Sequence, residues 1–352
     1  AGFARSTLAV SVCAAALAGP AQAAQFDLGD SDWRLRWDNT VKYSQAWRLQ
    51  GQDSAITDSP TAGGLYPNIQ SQGDNNFDRG LVSNRLDVFS EFDLSTQNYG
   101  LRVSGAAWYD DIYNQDTDSD LQRDFLDATR DLHGRDAEIL DAFVFYSTEV
   151  GEESLFSIKA GQHNVFWGET ILNPVHSVSY GQSGLDLAKL AASPGTEAKE
   201  LFVPRNQLST SFLVNSELTL GAQYFFDWDA ARLPEAGTYY GGSDVVGEGA
   251  QSLLLGHTGT PGLIPVRGAL TTLRRGHDLT PGKSGDWGVM AKWSPEWLGG
   301  TLGFYYRKTS EILPQAWLDA RGMTVANGPF GNPPGSRQGA VGNLYNSLQS
   351  TT

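Results

Sequence analysis

Segments of this chain that alternate apolar and polar residues are joined in turn by a long polar loop and by a tight turn, a rhythm that few folds require. A transmembrane β-barrel requires it, because short turns close pairs of spanning strands on the periplasmic side while longer loops face outward. A soluble β-sandwich has no reason to sort its connectors by length. Counted from a periplasmic N-terminus, the long connectors follow the first, third, fifth and seventh strands, near residues 50–80, 110–137, 162–205 and 229–284, with a last one near 310–352.

The first strand carries the clearest pattern. Between residues 33 and 49 the odd positions hold Trp33, Leu35, Trp37, Val41, Tyr43, Trp47 and Leu49, broken by Asn39 and Gln45; the even positions hold Arg34, Arg36, Asp38, Thr40, Lys42, Ser44 and Arg48. Period two of this quality predicts a strand with one apolar face. A spanning strand tilted by about 45° would rise roughly 33 Å over such a length, enough to put the aromatics at its two ends in the two headgroup zones.

Further strands are predicted near residues 81–94, 101–109, 139–148, 155–161, 208–214, 218–228, 287–293 and 302–306, with tight turns at 95–98, 151–154, 215–217 and 295–300. The reading is therefore all-β: an antiparallel transmembrane barrel with about nine strands visible. Bacterial single-chain barrels usually have an even number, and this chain stops in the polar stretch Gln349-Ser350-Thr351-Thr352. Further C-terminal strands are expected in the intact protein, and this stretch alone is not expected to close.

Composition narrows the class further. The only long apolar run, residues 8–18, follows Arg5 and leads to the small-residue site Ala21-Gln22-Ala23, which reads as a secretory leader over residues 1–23 with Ala24 as the first mature residue. With no initiator Met, part of the basic leader is expected to precede Ala1. The single cysteine, Cys13, falls inside this leader, so thiol chemistry, disulfides and cysteine zinc sites are not expected in residues 24–352. A formal charge of −15 argues against nucleic acid as a partner. Forty glycines, ten tryptophans and thirteen tyrosines suit a chain that turns often and sits at an interface.

Several segments resemble a proteobacterial outer-membrane family known as domain of unknown function 1302. They are Trp37-Asp38-Asn39-Thr40-Val41-Lys42-Tyr43-Ser44, Asn84-Arg85-Leu86-Asp87, Ala107-Trp108-Tyr109-Asp110, Gly161-Gln162 with Phe166-Trp167-Gly168-Glu169, Asn173-Pro174-Val175, Pro194-Gly195 with Glu197, Lys199 and Glu200, and the run from Tyr224 to Trp228. His176 departs from the acidic residue expected beside that proline motif. The resemblance implies an outer-membrane location in a Gram-negative bacterium, and a context of breakdown or transport of hydrophobic compounds such as steroids and alkanes. It implies no mechanism.

On the barrel reading, the faces opposite the apolar ones line a lumen. There Glu91 and Arg102 stand among the aromatics Phe89, Trp108, Phe143, Phe145 and Phe225, which offer stacking surfaces for a ring-containing or greasy solute. Within residues 162–205, the helix-like run 185–192 and the polar and aromatic residues Trp167, Glu169, Lys199 and Glu200 suit an inward fold that constricts the path. Asp116, Asp118 and Asp120 alternate like the opening ligands of a calcium loop, but Leu121 stands where an EF-hand needs glycine, so a solvated acidic loop is the better reading. The five histidines have no metal spacing, no P-loop or dinucleotide fingerprint is present, and no spacing forces a nucleophile against a base. The expectation is a channel or transporter-like barrel for hydrophobic or aromatic solutes, without cofactor or enzymatic activity. Its expected partners are outer-membrane lipid, the insertion machinery and envelope transport proteins. The alternative is a non-transporting scaffold or surface-binding barrel.

Overall fold

The computed structural model describes residues 24–26, 28–29, 31–53, 72–119, 124–168, 177–242, 246–247, 249–250, 252–257, 270–319 and 342–347. The expected leader, Asp120, Glu169 and the Asn173-Pro174-Val175 motif lie outside the described residues.

The main sheet is an antiparallel meander in strict chain order. A three-residue strand, β1 (Ala24–Phe26), pairs with the start of β2 (Arg34–Arg48). Then follow β3 (Gly80–Ser95), β4 (Tyr99–Asp110), β5 (Arg135–Val150), β6 (Ser154–His163), β7 (Arg205–Leu213), β8 (Leu218–Phe225), β9 (Trp287–Trp293) and β10 (Leu302–Lys308). The nine long strands stand where the periodicity predicts them, and the alternation of connectors holds throughout. Residues 49–79, 111–134, 164–204 and 226–286 join strands at one end, whereas 96–98, 151–153, 214–217 and 294–301 turn the chain at the other. Gly151 shows why a turn can be so tight: its φ of 78° is open to glycine at no steric cost.

Three details differ from the sequence reading. β1 was not expected, because three residues are too few to show a period. The return strand ends at Phe225, not at Trp228, since Asn206 donates to the Asp227 carboxylate from its backbone N–H (2.8 Å) and its side chain (2.6 Å), which ends the ladder and frees Trp228 to turn. Finally, the connections 229–284 and 310–352 hold strands of their own: Ser252–His257, Leu270–Arg275, Gln315–Asp319 and Gly342–Ser347 pair into a second, four-stranded sheet.

The main sheet is inverted relative to a soluble protein. Val41 (63% exposed), Ile139 (61%) and Tyr306 (67%) point outward, whereas Arg85, Asp87, Glu91, Arg205 and Gln207 are buried on the opposite face. Register explains the continuity of the exposed face. Phe156, Phe212, Leu220, Ala291 and Phe304 are successive cross-strand partners over five strands, an apolar row that such pairing favours. Exposed aromatics concentrate near the two ends: Trp33, Tyr99, Trp293 and Trp297 beside the short turns, and Trp47, Tyr109, Tyr224 and Trp287 beside the long connections. Val41, Val88, Val144 and Val289 lie between them.

Two apolar clusters lie on the buried side. Phe89, Ala106 and Leu140 meet on the inner face, where a register shift between Val103 and Gly105 lets β5 turn Leu140 inward while Ile139 stays outside. Phe77, Val82, Tyr113 and Phe125, with Tyr239 packed on Phe77 at 5.6 Å between centroids, knit the long connections into a cap. Within the cap, Asn76 Nδ2 donates to the carbonyl of Gly237 (2.9 Å) and the backbone N–H of Tyr239 to the Tyr113 hydroxyl (3.3 Å).

Candidate functional site

The connection between β6 and β7 folds back over the buried face of the sheet. Gly184–Leu185 pairs with Phe202–Val203, and between them stand two short helices, α1 (Leu187–Ala192) and α2 (Ala198–Leu201). Asp186 caps α1, its Oδ1 accepting from the backbone N–H of Lys189 at 2.7 Å, the local signal that starts a helix there.

From this segment polar side chains reach the wall. The Ser193 hydroxyl donates to Asp87 Oδ2 at 2.9 Å, and Asp87 pairs with Arg85 at 2.9 Å, all three buried. Lys42 on β2 donates to the Thr196 hydroxyl at 2.6 Å. Lys199 pairs with Glu91, and its Nζ stands 4.9 Å from the centroid of the Phe89 ring. Burial would lower the Lys199 pKa, but hydrogen bonding and the charges of Glu91 and Glu197 outweigh it and raise it. Lys189 lies 3.8 Å from Glu200 and holds its ammonium 5.5 Å from the centre of the Trp108 ring, which Arg85 also approaches at 5.5 Å.

Arg232, in the connection after β8, ties the inward segment to the wall a second time. It pairs with Glu138 on β5 at 2.7 Å and with Asp186 at 3.2 Å, and its carbonyl accepts from the backbone N–H of Leu187 at 2.8 Å. Against the burial that would lower it, the hydrogen bonds to these two carboxylates hold the Arg232 pKa above its ordinary value. At the far side Trp167 lies against β9, where a Cβ on Gly288 would come within 2.8 Å of its ring. Its backbone N–H donates to Gln182 Oε1 at 3.1 Å. Arg205, fully buried, bonds the carbonyl of Gly181 at 2.7 Å and pairs with Asp286 at 2.9 Å, with its guanidinium 4.2 Å from the Phe225 centroid.

Two hollows flank this segment. One, about 390 Å³, opens toward the long connections; Trp108, Leu132, Trp228, Ala231 and Leu233 line it, with four carboxylates, Asp131, Asp136, Glu235 and Asp278, against the single cation Arg232. The other, about 640 Å³, lies toward the short turns. It holds Phe143 and Phe145 with four cations, Arg34, Arg36, Arg102 and Lys159, against the single carboxylate Asp93. Along β3 the residues covered by α1 and α2, from Asp87 to Glu91, fall between the two.

The residues singled out from sequence thus fall into three groups. Trp108 borders the first hollow; Phe89 and Glu91 lie beneath the inward segment with Lys199 and Glu200; Arg102, Phe143 and Phe145 line the second hollow. Phe225 is sealed under Arg205, away from both. Of the acidic triplet, Asp118 accepts from the backbone N–H of Asp78 at 2.8 Å and Asp116 bridges to Asp124. Among the described residues no three side chains are grouped to hold a metal. The sequence reading missed Lys159, Lys189, Ser193 and Arg232. Lys159 could have been found, since Phe156, Ile158 and Ala160 alternate around it. Arg232 could not, because its role needs a strand and a loop far apart in the chain.

A family model described as a protein of unknown function (DUF1302) matches residues 4–342. Neither a curated protein nor a solved structure matches the chain.

Proposed function

The chain belongs to the DUF1302 family, and from that premise we propose that it forms the wall and inward plug of an outer-membrane β-barrel that passes aromatic or hydrophobic solutes. The observation that carries this reading is the inverted sheet. An apolar face this wide would be a severe liability in water, whereas lipid is its natural solvent. Its aromatic ends then sit at the two headgroup zones, and the long connections face outward. Outer-membrane lipid and the insertion machinery are the partners this reading implies, with envelope transport proteins beyond them. The two hollows become an outer vestibule and a periplasmic mouth, and α1 with α2 is the constriction between them.

Liposomes carrying the full-length protein test the proposal. Deleting residues 183–198 removes α1 and leaves every strand of the main sheet, so permeability to an aromatic solute should rise while insertion persists. The density of bonds between plug and wall favours a second reading, a closed barrel that serves as a scaffold. Unchanged permeability in the deletion variant would decide for it.

A further inference from the structure

The mouth at the short turns carries a charge opposite to that of the chain. The protein bears a formal −15, yet this hollow gathers four cations around one carboxylate. Two of them are already paired: Arg102 with Asp93 at 2.5 Å and Arg36 with Asp38. Among the described residues, Arg34 and Lys159 have no carboxylate within ion-pair distance. Lys159 is half-buried, with Asp141 near enough to act on it electrostatically but not paired with it. Its ammonium stands 5.3 Å from the centroid of Phe143, and its cross-strand partner on β5 is Phe145. A cation held partly out of water over one aromatic ring, with no carboxylate paired to it among the described residues, lacks the one group that would complete it, an anion.

We propose that this hollow binds a small organic anion, a carboxylate carried on an aromatic ring, with Lys159 as its charge partner and Phe143 and Phe145 as the walls for the ring. Lysine supplies three donors to a carboxylate, and the rings reward a flat apolar body that a simple inorganic anion lacks. Phe143, Phe145 and Lys159 stand on the face opposite exposed Val144 and Tyr146. The inference deepens the proposed function by naming a solute class, and it rests on that reading for the direction the hollow faces.

The test compares two probes of one shape, 4-fluorobenzoate and its neutral isostere 4-fluoronitrobenzene, by fluorine NMR titration of the full-length protein in nanodiscs. Lys159→Met should weaken 4-fluorobenzoate about tenfold or more, the scale of one charge-assisted hydrogen bond, and leave 4-fluoronitrobenzene unchanged. Lys159→Arg should restore the carboxylate, and Phe143→Leu should weaken both probes. Equal loss of the two probes in Lys159→Met, failure of Lys159→Arg to rescue, absence of benzoate binding to the unaltered protein, or displacement by acetate as effective as by benzoate would each overturn the assignment. Permeation measured on the same protein reconstituted in liposomes separates the two ideas. Flux without preference for the anion leaves the channel standing and removes this site, whereas binding without flux keeps the site and removes the channel.

Discussion

At the scale of single residues, the buried face is governed by charges that have been taken out of water together. Arg85 and Asp87 are 2% and 3% exposed and only two positions apart on β3, so their pairing offsets the cost of taking each charge out of water. Asp87→Ala should destabilise the fold by about 3 to 5 kcal/mol, because it strands the guanidinium, while Arg85→Met with Asp87→Leu should recover most of that loss. Urea unfolding of the micelle-bound protein measures both, and a double variant as weak as the single one would refute the account. His133, in the short helix Arg130–Gly134 at the end of the long connection ahead of β5, follows related logic. Burial, aided by the nearby charge of Arg85, pushes its pKa down to about 3, and its Nε2 accepts from the backbone N–H of Glu235 at 3.2 Å. The unfolded chain protonates His133 near its ordinary 6.5, the folded chain only near 3, so the neutral ring contributes stability above 6.5 that is lost as pH falls toward 3. His133→Gln keeps an acceptor and removes the titration. It should flatten this part of the pH dependence of unfolding, and identical slopes in the two proteins would count against it.

At the scale of elements, β2 separates an exposed apolar face from a covered polar one residue by residue. Val41 is paired with Val88 on the exposed face, whereas Lys42 is paired with Asp87 on the face that α1 and α2 cover. If the exposed face meets lipid, Val41→Arg should cost about 2 to 4 kcal/mol of assembly, and Lys42→Ala should leave assembly largely intact while loosening the plug at Thr196. Heat-modifiable migration on gels reports assembly directly. Equal damage from both variants would mean that the faces have been misassigned. The β2 pattern was legible in the sequence because its two faces differ in polarity and the period is two. Where neither condition held, prediction was blunt. β1 is too short to show a period, and the inward turn of Leu140 comes from a register shift, which depends on the neighbouring strand.

At the scale of the whole molecule, the connectors do more than close hairpins. Three of them share the cap built on Phe77 and Tyr113, and the fourth, between β6 and β7, covers the buried face and separates an acidic hollow from a basic one. If a solute path joins the two hollows as proposed, its ends differ in charge and a solute would be sorted by sign as well as by shape. The proposed orientation requires export. Membrane-extracted protein should begin at Ala24 and fractionate with the outer membrane, and N-terminal sequencing of that fraction checks it. A retained leader would refute cleavage before Ala24, and a soluble periplasmic product would remove the membrane reading.

Sequence alone determined the nine long strands, the sorting of their connectors and the face each side chain takes on β2, because strand periodicity and turn chemistry are local and repeat every two residues. It also pointed to part of the hollows' lining, Trp108 in the first and Arg102, Phe143 and Phe145 in the second, since position along a strand assigns a side chain to a face, but not to Lys159 or Arg232. The tertiary structure decided which side chains meet. Lys199 reaches Glu91 across 108 residues, Arg232 joins Glu138 to Asp186, and Lys159 is left over the Phe143 ring with no carboxylate paired to it among the described residues. Such pairings depend on how a long connection folds back across a sheet, and no period in the chain encodes that distance.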